Sequence, residues 1–183
     1  LVDMHVHIFE ANDGALFIAN GVTTVRNMSA RPDSAALAAR IATGEIPGPI
    51  IYTSSRILNG PHEGWNNARA VRTADEMRAY VNESADAGDV GVKLYEDLAP
   101  DVFAAGVSEA RRRHVQVYAH VPFSMSLDDV LALRIDSIEH LTGFDRTLAP
   151  SLTSAWDEER WSEADMSLAP ALARRVAESG VWN

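Results

Sequence analysis

Short apolar stretches rich in β-branched residues alternate with stretches of helical periodicity along the whole chain. This alternation is typical of parallel strands that are joined by crossover helices. The apolar stretches predict six strands, at residues 2–8, 22–28, 49–58, 90–95, 115–120 and 135–140. A seventh strand is predicted to begin at Val181.

Helix signals fall between these strands. The segments 15–20 and 34–43 are each followed by a glycine, the residue that best accepts the left-handed conformation after a helix. Thr73-Ala74-Asp75-Glu76 has the pattern of a capping box. Apolar side chains then recur on one helical face, at Met77, Tyr80, Val81 and Ala85. The pattern therefore predicts an α/β fold.

The length limits how much of a barrel this chain can form. A complete eight-stranded α/β barrel takes about 250 residues, whereas this chain has 183 and no linker or repeat that would divide it. We therefore expect one domain over residues 1–183, folded as a partial barrel of six parallel strands. The irregular segments 59–72 and 142–163 follow the third and sixth predicted strands, on the side where barrel enzymes place their active sites.

The composition excludes several classes of function. A formal net charge of −10 opposes binding to nucleic acids and anionic membranes. The chain has no cysteine, which excludes thiol nucleophiles and cysteine-ligated zinc. No apolar run approaches the roughly 20 residues of a membrane helix, so we expect neither nucleic acid nor membrane as a partner. The sequence does not assign a cellular compartment.

Histidines mark the ends of predicted strands. His5 and His7 are two residues apart in the first strand, so both imidazoles are expected on the same face. His120 and His140 close the fifth and sixth strands. Carboxyl ends of parallel strands meet at one rim of a barrel, so the four imidazoles are expected to converge there. Imidazole is the commonest metal ligand, which indicates a hydrolytic zinc-type site.

Lys93 lies near the end of the fourth predicted strand, among apolar residues. A lysine in a buried strand needs a partner or a chemical task. Three tasks are open for Lys93: a salt bridge with a buried acid, a Schiff-base nucleophile of lowered pKa, or a metal ligand after chemical modification.

The ordered set of these residues resembles the amidohydrolase superfamily over nearly the whole chain. The matching motifs are Val2-Asp3-Met4 before His5-x-His7, the segment GVTTVRNM at 21–28, Lys93, His120, and Ser137-Ile138-Glu139-His140. Within the superfamily, the chain is most similar to the imidazolonepropionase-like and Xaa-Pro dipeptidase-like branch of binuclear enzymes.

The resemblance implies a binuclear site with two divalent metal ions, expected to be zinc. His5 and His7 would hold the more buried ion, His120 and His140 the more exposed one, and N-carboxylated Lys93, formed with carbon dioxide, would bridge them. Lys93, His120 and His140 would also act in catalysis. The implied reaction is hydrolysis of C–N bonds by a metal-activated hydroxide, with a dipeptide or an N-acyl amino acid as the small-molecule substrate.

The sequence departs from the family pattern at its carboxyl end. The family's proton-shuttling Asp after strand eight has no counterpart before Asn183, and Asp145, Asp157 and Asp165 fall in or after the loop that follows strand six. The family's β-sandwich domain has no counterpart either. We expect a piece of a larger enzyme that lacks strands seven and eight, has little activity by itself, and forms a homo-oligomer or associates with the rest of the barrel.

Three further residues are candidates for substrate binding. His62 lies in a Gly/Pro-rich loop, Tyr95 shares a face with Lys93, and Tyr118 shares a face with His120. An exposed loop position for His62 and simple core packing for the tyrosines are the alternatives. Glu139 alternates away from His140 and is predicted to form a structural pair behind the barrel.

Other functions stay open at this stage. They are a cyclic amide hydrolase of the imidazolonepropionase type, a metal-free lyase or aldolase with a Schiff base at Lys93, and a non-catalytic fragment that retains metal affinity.

Overall fold

The computed structural model describes residues 1–61, 67–150 and 159–183. Its strands are β1 (Val2–Val6), β2 (Thr24–Asn27), β3 (Ile50–Asn59), β4 (Arg69–Ala70), β5 (Gly91–Leu94), β6 (Gln116–Ala119) and β7 (Ser137–Ile138). Its helices are α1 (Asp13–Ala19), α2 (Ser34–Ala42), α3 (Ala74–Asp86), α4 (Pro100–Arg113), α5 (Leu127–Ala132), α6 (Phe144–Leu148), α7 (Glu159–Ser162) and α8 (Ala169–Ser179), and a 3₁₀ turn spans Met166–Leu168.

The strands form one parallel sheet in the order β1-β2-β3-β5-β6-β7. The short strand β4 pairs with the end of β3. Beyond β7, the backbone of Trp182 donates to Asp136 and accepts from Ile138, which begins a further parallel strand where the sequence predicted one. The α/β half-barrel with six parallel strands and crossover helices is thereby confirmed.

The hydrophobic core lies between the outer face of the sheet and the helices. Its largest part packs α3, α4, α5 and α8 against β5, β6 and β7, around side chains such as Met77, Phe103 and Ile138. A smaller part, formed by Val6, Ile8 and Val25, packs near α1 and α2. Helix α3 begins as predicted, because the Thr73 hydroxyl accepts a hydrogen bond from the backbone of Glu76.

The inner face of the sheet carries exposed apolar side chains toward the amino ends of its strands. Val2, Met4 and Tyr52 have exposed fractions of 62%, 54% and 50%. With Arg26 and Tyr118 they line a cavity of about 630 Å³. The outer edge of β1 has no paired strand within the described part of the chain.

None of the helices in the described ranges is long and apolar enough to cross a membrane.

Candidate active site

Four histidines meet at the carboxyl ends of the strands. The ring centroids of His5 and His7 are 5.3 Å apart, and those of His5 and His140 are 4.3 Å apart. The rings of His120 and His140 lie 5.1 Å apart, nearly perpendicular to each other. The structure therefore brings the four imidazoles of the sequence pattern into one cluster.

Local backbone geometry aims these rings inward. In β1, the pairing register with β2 shifts between Asp3 and Val6, which marks a bulge beside His5. At the end of β7, Ile138 faces the core and Glu139 faces the interior, so simple alternation would turn His140 outward. Instead, His140 has a left-handed φ of 57°. This unusual conformation rotates the chain so that His140 joins the cluster.

Lys93 lies deep in the interior of the site. Its side chain is 1% exposed, and its amine has no hydrogen-bond partner among the residues that the structure describes. Burial lowers the pKa of Lys93 to about 7, against the favourable charge of Glu139 and with the help of the nearby Arg26 guanidinium. Burial thus shifts the balance at Lys93 from the ammonium toward the neutral amine.

Two imidazoles are each hydrogen-bonded to a carboxylate. His5 Nδ1 lies 2.5 Å from Glu139 Oε2, and His120 Nδ1 lies 2.5 Å from Glu96 Oε1. Burial alone would raise the pKa of Glu139, but hydrogen bonds from His5 and Ser137 outweigh it and lower the pKa to about 2. Because ionised Glu139 only accepts hydrogen bonds, the proton of neutral His5 lies on Nδ1 and its Nε2 carries a lone pair.

Burial and neighbouring positive groups favour the uncharged form of three of the imidazoles. The pKa of His7 is lowered to about 4, chiefly by burial and then by His5, Lys93 and His140. Burial also lowers the pKa of His120 and of His140. Neutral imidazole is the form that binds metal ions, so these histidines are ready to act as ligands at neutral pH. Glu96 differs, because burial and the neighbouring Asp97 raise its pKa to about 7.

The donor set fits a metal ion on chemical grounds. His5 Nε2 and Lys93 Nζ are buried and have no hydrogen-bond partner in the described part of the chain. A buried lone pair without a donor is costly unless a cation or a donor meets it. Within residues 1–61, 67–150 and 159–183, no three His, Asp or Glu side chains are already arranged to hold a metal ion. The fit therefore rests on the chemistry of the donors.

A small cavity opens beside His7. Its volume is about 230 Å³, and its walls combine apolar and polar side chains. They are Ile8, Phe9, Ile57, Ser29, Arg31 and Asn67. The side-chain amide of Asn67 donates to Ser29 and to the backbone of Ala30, which ties the loops after β2 and β3 together.

The candidate substrate residues occupy different places. Tyr95 lies beside the cluster, with its ring centroid 4.2 Å from that of His120. Tyr118 is 1% exposed, its ring packs against Gly91, and its hydroxyl donates to Gln116, toward the amino ends of the strands. Its role in substrate binding stays a prediction, as does that of Tyr95. His62 lies outside the described residues.

The prediction for Glu139 is wrong. Instead of pairing behind the barrel, Glu139 contacts His5, Arg26 and Ser137 in the interior. The prediction assumed that Glu139 and His140 alternate, and the left-handed conformation of His140 breaks that alternation. The sequence reasoning also missed Glu96 and Arg26. Their only sequence signal is a charged residue at or near the end of a predicted strand.

Comparison with solved structures identifies proteins that share this fold. No family model matches the chain, and no curated protein does. A structure titled bottromycin amidohydrolase is 29% identical, with a TM-score of 0.73 over 94% of this chain and 37% of its own length.

The chain is similar to this amidohydrolase over nearly its whole length and shares its fold. A Xaa-Pro dipeptidase, solved with methionine in its active site, is 18% identical with a TM-score of 0.66, and covers all of this chain and 64% of its own. Ochratoxinase from A. niger is also 18% identical, with a TM-score of 0.68 over the whole chain and 51% of its own length. These two likenesses concern the fold alone.

The chain spans between about a third and two thirds of the length of these superfamily structures, with shares of 37%, 51% and 64%. The part it spans contains all five residues of the metal set that the sequence pattern implied. They are His5, His7, Lys93, His120 and His140.

Proposed function

We propose that this chain carries the metal-binding part of a metal-dependent hydrolase that cleaves amide or peptide bonds. The observation that supports it best is the convergence of four imidazoles near a buried lysine amine that has no hydrogen-bond partner among the described residues. Two of the imidazoles are hydrogen-bonded to carboxylates, as metal-binding histidines usually are.

The residues that would hold two divalent ions, zinc in the first instance, are His5, His7, Lys93, His120 and His140. When bound, such ions supply a water of lowered pKa and a Lewis acid for the substrate carbonyl. The protein holds the imidazoles in place and excludes water from His120 and Lys93, which are 2% and 1% exposed.

The neutral amine of Lys93 can react with carbon dioxide. The nitrogen lone pair forms a bond to the carbon of carbon dioxide while one C=O π pair moves onto oxygen, and the nitrogen then releases a proton to solvent, which gives a carbamate with two ligand oxygens. A pKa of about 7 makes the reactive neutral form abundant. Lys93 is the only lysine in the sequence, so any modification of a side-chain amine must lie there.

The cavity beside His7 supports a dipeptide or an N-acyl amino acid as the substrate class. Its apolar wall, formed by Ile8, Phe9 and Ile57, suits a side chain of the substrate. Arg31 supplies a positive charge at the same cavity, and its own contact with Asp33 is long, at 3.8 Å. A guanidinium in this position suits a substrate carboxylate.

Metal content and mass test the metal site. Purified wild type should contain close to two metal ions per completed barrel and an added mass of one carbon dioxide on Lys93. The variants His120→Ala and Lys93→Ala should lose metal, whereas the exposed His114→Ala should keep it. Full metal content in Lys93→Ala would contradict the proposal.

A substrate panel tests the chemical class. Arg31→Met should raise KM for dipeptides at least tenfold and should leave KM for their carboxyl-amidated forms unchanged. An equal effect on both series would contradict carboxylate recognition at Arg31.

A second candidate function is a Schiff-base lyase or aldolase. The buried, unpaired amine of Lys93 and its pKa near 7 favour it. Borohydride reduction in the presence of a carbonyl substrate should attach that substrate to Lys93 if this function is correct, and should attach no substrate there if the hydrolase proposal is correct.

A further inference from the structure

The side chain of Arg26 connects three parts of the sheet next to the histidine cluster. Its Nε donates to the backbone oxygen of Met4 in β1 at 2.7 Å, and its Nη2 donates to Glu139 Oε1 at 2.9 Å. Its guanidinium carbon lies 4.1 Å from the centroid of the Tyr118 ring in β6. The side chain is 12% exposed, so these contacts are largely shielded from water.

Glu139 is held on both of its oxygens. Oε2 accepts from His5 Nδ1 at 2.5 Å, and Oε1 accepts from Arg26 and from the hydroxyl of Ser137. A carboxylate with both oxygens bonded cannot rotate freely about its side-chain bonds. Its direction toward His5 is therefore fixed from the opposite side by Arg26.

The orientation of His5 follows from this arrangement. With Nδ1 donating to Glu139, the other ring nitrogen, Nε2, is left as an acceptor. Nε2 is buried and has no hydrogen-bond partner among the described residues, and the ring stands 4.3 Å from that of His140. The contact with Glu139 thus leaves Nε2, with its lone pair, as the ring nitrogen that is available to bind a metal ion.

We propose that Arg26 is a positioning residue that acts through Glu139 to fix the tautomer and the ring orientation of His5. Its consequence for metal affinity rests on the proposed function, whereas its consequence for the tautomer does not. The side-chain hydrogen bonds of Arg26 go to Met4 and Glu139 rather than to a proposed metal ligand, and Arg26 does not line the cavity beside His7.

Arginine suits this position better than lysine does. The planar guanidinium donates through Nε to Met4 and through Nη2 to Glu139 while its face packs on Tyr118. A lysine ammonium is a compact charge, so it cannot make both hydrogen bonds and pack flat on the Tyr118 ring at the same time. Arg26→Lys should therefore keep the positive charge but hold Glu139, and through it the His5 ring, less firmly in its orientation.

Nitrogen NMR of the metal-free protein tests the proposal directly. The ring signals of His5 are identified by their absence in His5→Gln. Wild type should show the tautomer with the proton on Nδ1, Arg26→Met should show a substantial population of the other tautomer, and Arg26→Lys should lie between them. The control Arg40→Met removes an exposed arginine that pairs with Glu45, and its His5 signals should match wild type.

Cobalt affinity, measured by competition with a chelator, supplies the second measurement. Arg26→Met should bind cobalt at least tenfold more weakly than wild type and Arg40→Met. Metal affinity usually falls by this much when a side chain that supports a metal ligand through hydrogen bonds is removed. If Arg26→Met fails to fold, Arg26→Lys carries the same comparison. Wild-type tautomer and affinity in the Arg26 variants would overturn the proposal.

The two proposals fail in different ways. If wild type binds no cobalt, the proposed function fails, while the tautomer comparison still decides whether Arg26 positions His5. If wild type binds cobalt and the Arg26 variants keep the Nδ1 tautomer, the positioning role fails and the proposed function stands.

Discussion

The amine of Lys93 has an unusual environment for a lysine. It lies in the interior of a half-barrel, near Glu139 and Glu96, yet no described residue accepts a hydrogen bond from it. An ammonium in this place loses its water without gaining a direct partner, so burial favours the neutral form. The free-energy cost of burying the Lys93 ammonium can be measured on the metal-free protein.

Stability of the metal-free, carbon dioxide-free protein should depend on pH through Lys93. The folded pKa is about 7 and the ordinary value is 10.5, so the unfolded chain binds more protons between these values. The free energy of unfolding should therefore rise from pH 7 to pH 10.5, by an amount on the order of a few kcal/mol. Urea unfolding should show this rise in wild type and a flatter profile in Lys93→Met. Parallel profiles would contradict the shift.

For individual residues, the sequence predicted the candidate metal ligands better than the carboxylates that hydrogen-bond to them. Alternation in a strand is a local rule, and it placed His5, His7 and Lys93 correctly on the inner face. The contacts of Glu139 with His5 and of Glu96 with His120 join residues 134 and 24 positions apart. Such pairs depend on how strands curve toward each other, which no local rule contains.

Side-chain hydrogen bonds at the first turn stabilise the start of helix α3. The Thr73 side chain accepts from the backbone of Glu76 at 3.1 Å, and the Glu76 side chain accepts from the backbone of Arg72 at 2.7 Å. These two bonds satisfy donors at and next to the start of the helix. The same helix packs its Met77 against Gly106 of α4, where an added Cβ would lie 3.0 Å from the sulfur.

Thr73→Ala should lower the free energy of unfolding by about 1 kcal/mol, because it removes the cap of α3. Thr43→Ala is the matched control, since Thr43 follows α2 and its hydroxyl only donates to the backbone of Arg40. Chemical denaturation should separate the two variants. Neither substitution should alter metal affinity, and equal losses in both would show that the cap adds nothing.

Element order was predictable, and element ends were less so. The six main strands all lie within their predicted segments or one residue beyond them, because apolar runs identify buried strands. The sixth is reduced to Ser137–Ile138, since His140 and Leu141 adopt left-handed φ angles of 57° and 54°. Leucine seldom adopts that conformation, and histidine does so more often than most residues but still in a minority of cases, so the composition did not predict the turn. Strand β4 in the segment 59–72 also went unpredicted.

The contact between Glu139 and His5 joins opposite ends of the open sheet. β1 is the first strand in the sheet order and β7 the last of the named strands, so this contact and the one between Glu139 and Arg26 hold the sheet in its curled form. The carboxylate is only 8% exposed, which protects these bonds from competition by water.

Removing the charge of Glu139 should destabilise the whole molecule. Its folded pKa of about 2 lies below the ordinary 4.5, so its stabilising effect is present above pH 4.5 and is lost as the pH falls toward 2. Glu139→Gln should lose about 3 kcal/mol at neutral pH and should show a weaker dependence on acid. Glu45→Gln, at an exposed ion pair, is the control for acid unfolding. Identical acid profiles of Glu139→Gln and wild type would refute this role.

The 183-residue chain by itself should associate. Its inner face exposes Val2, Met4 and Tyr52, next to the unpaired edge of β1. Sedimentation velocity should detect species larger than a monomer, and Val2→Lys should reduce them. Leu16→Lys changes an equally exposed apolar residue in α1, away from this face, and should leave association unchanged. A wild type that stays monomeric at high concentration would contradict the expectation.

The contact between His5 and Glu139 spans 134 residues of the sequence. During synthesis, the first histidine pair leaves the ribosome long before its carboxylate partner exists. Until residue 139 has emerged, His5 has neither its final tautomer nor its neighbours His120 and His140. The nascent chain therefore cannot assemble the complete proposed cation site early, and metal binding there would have to follow translation of nearly the entire segment.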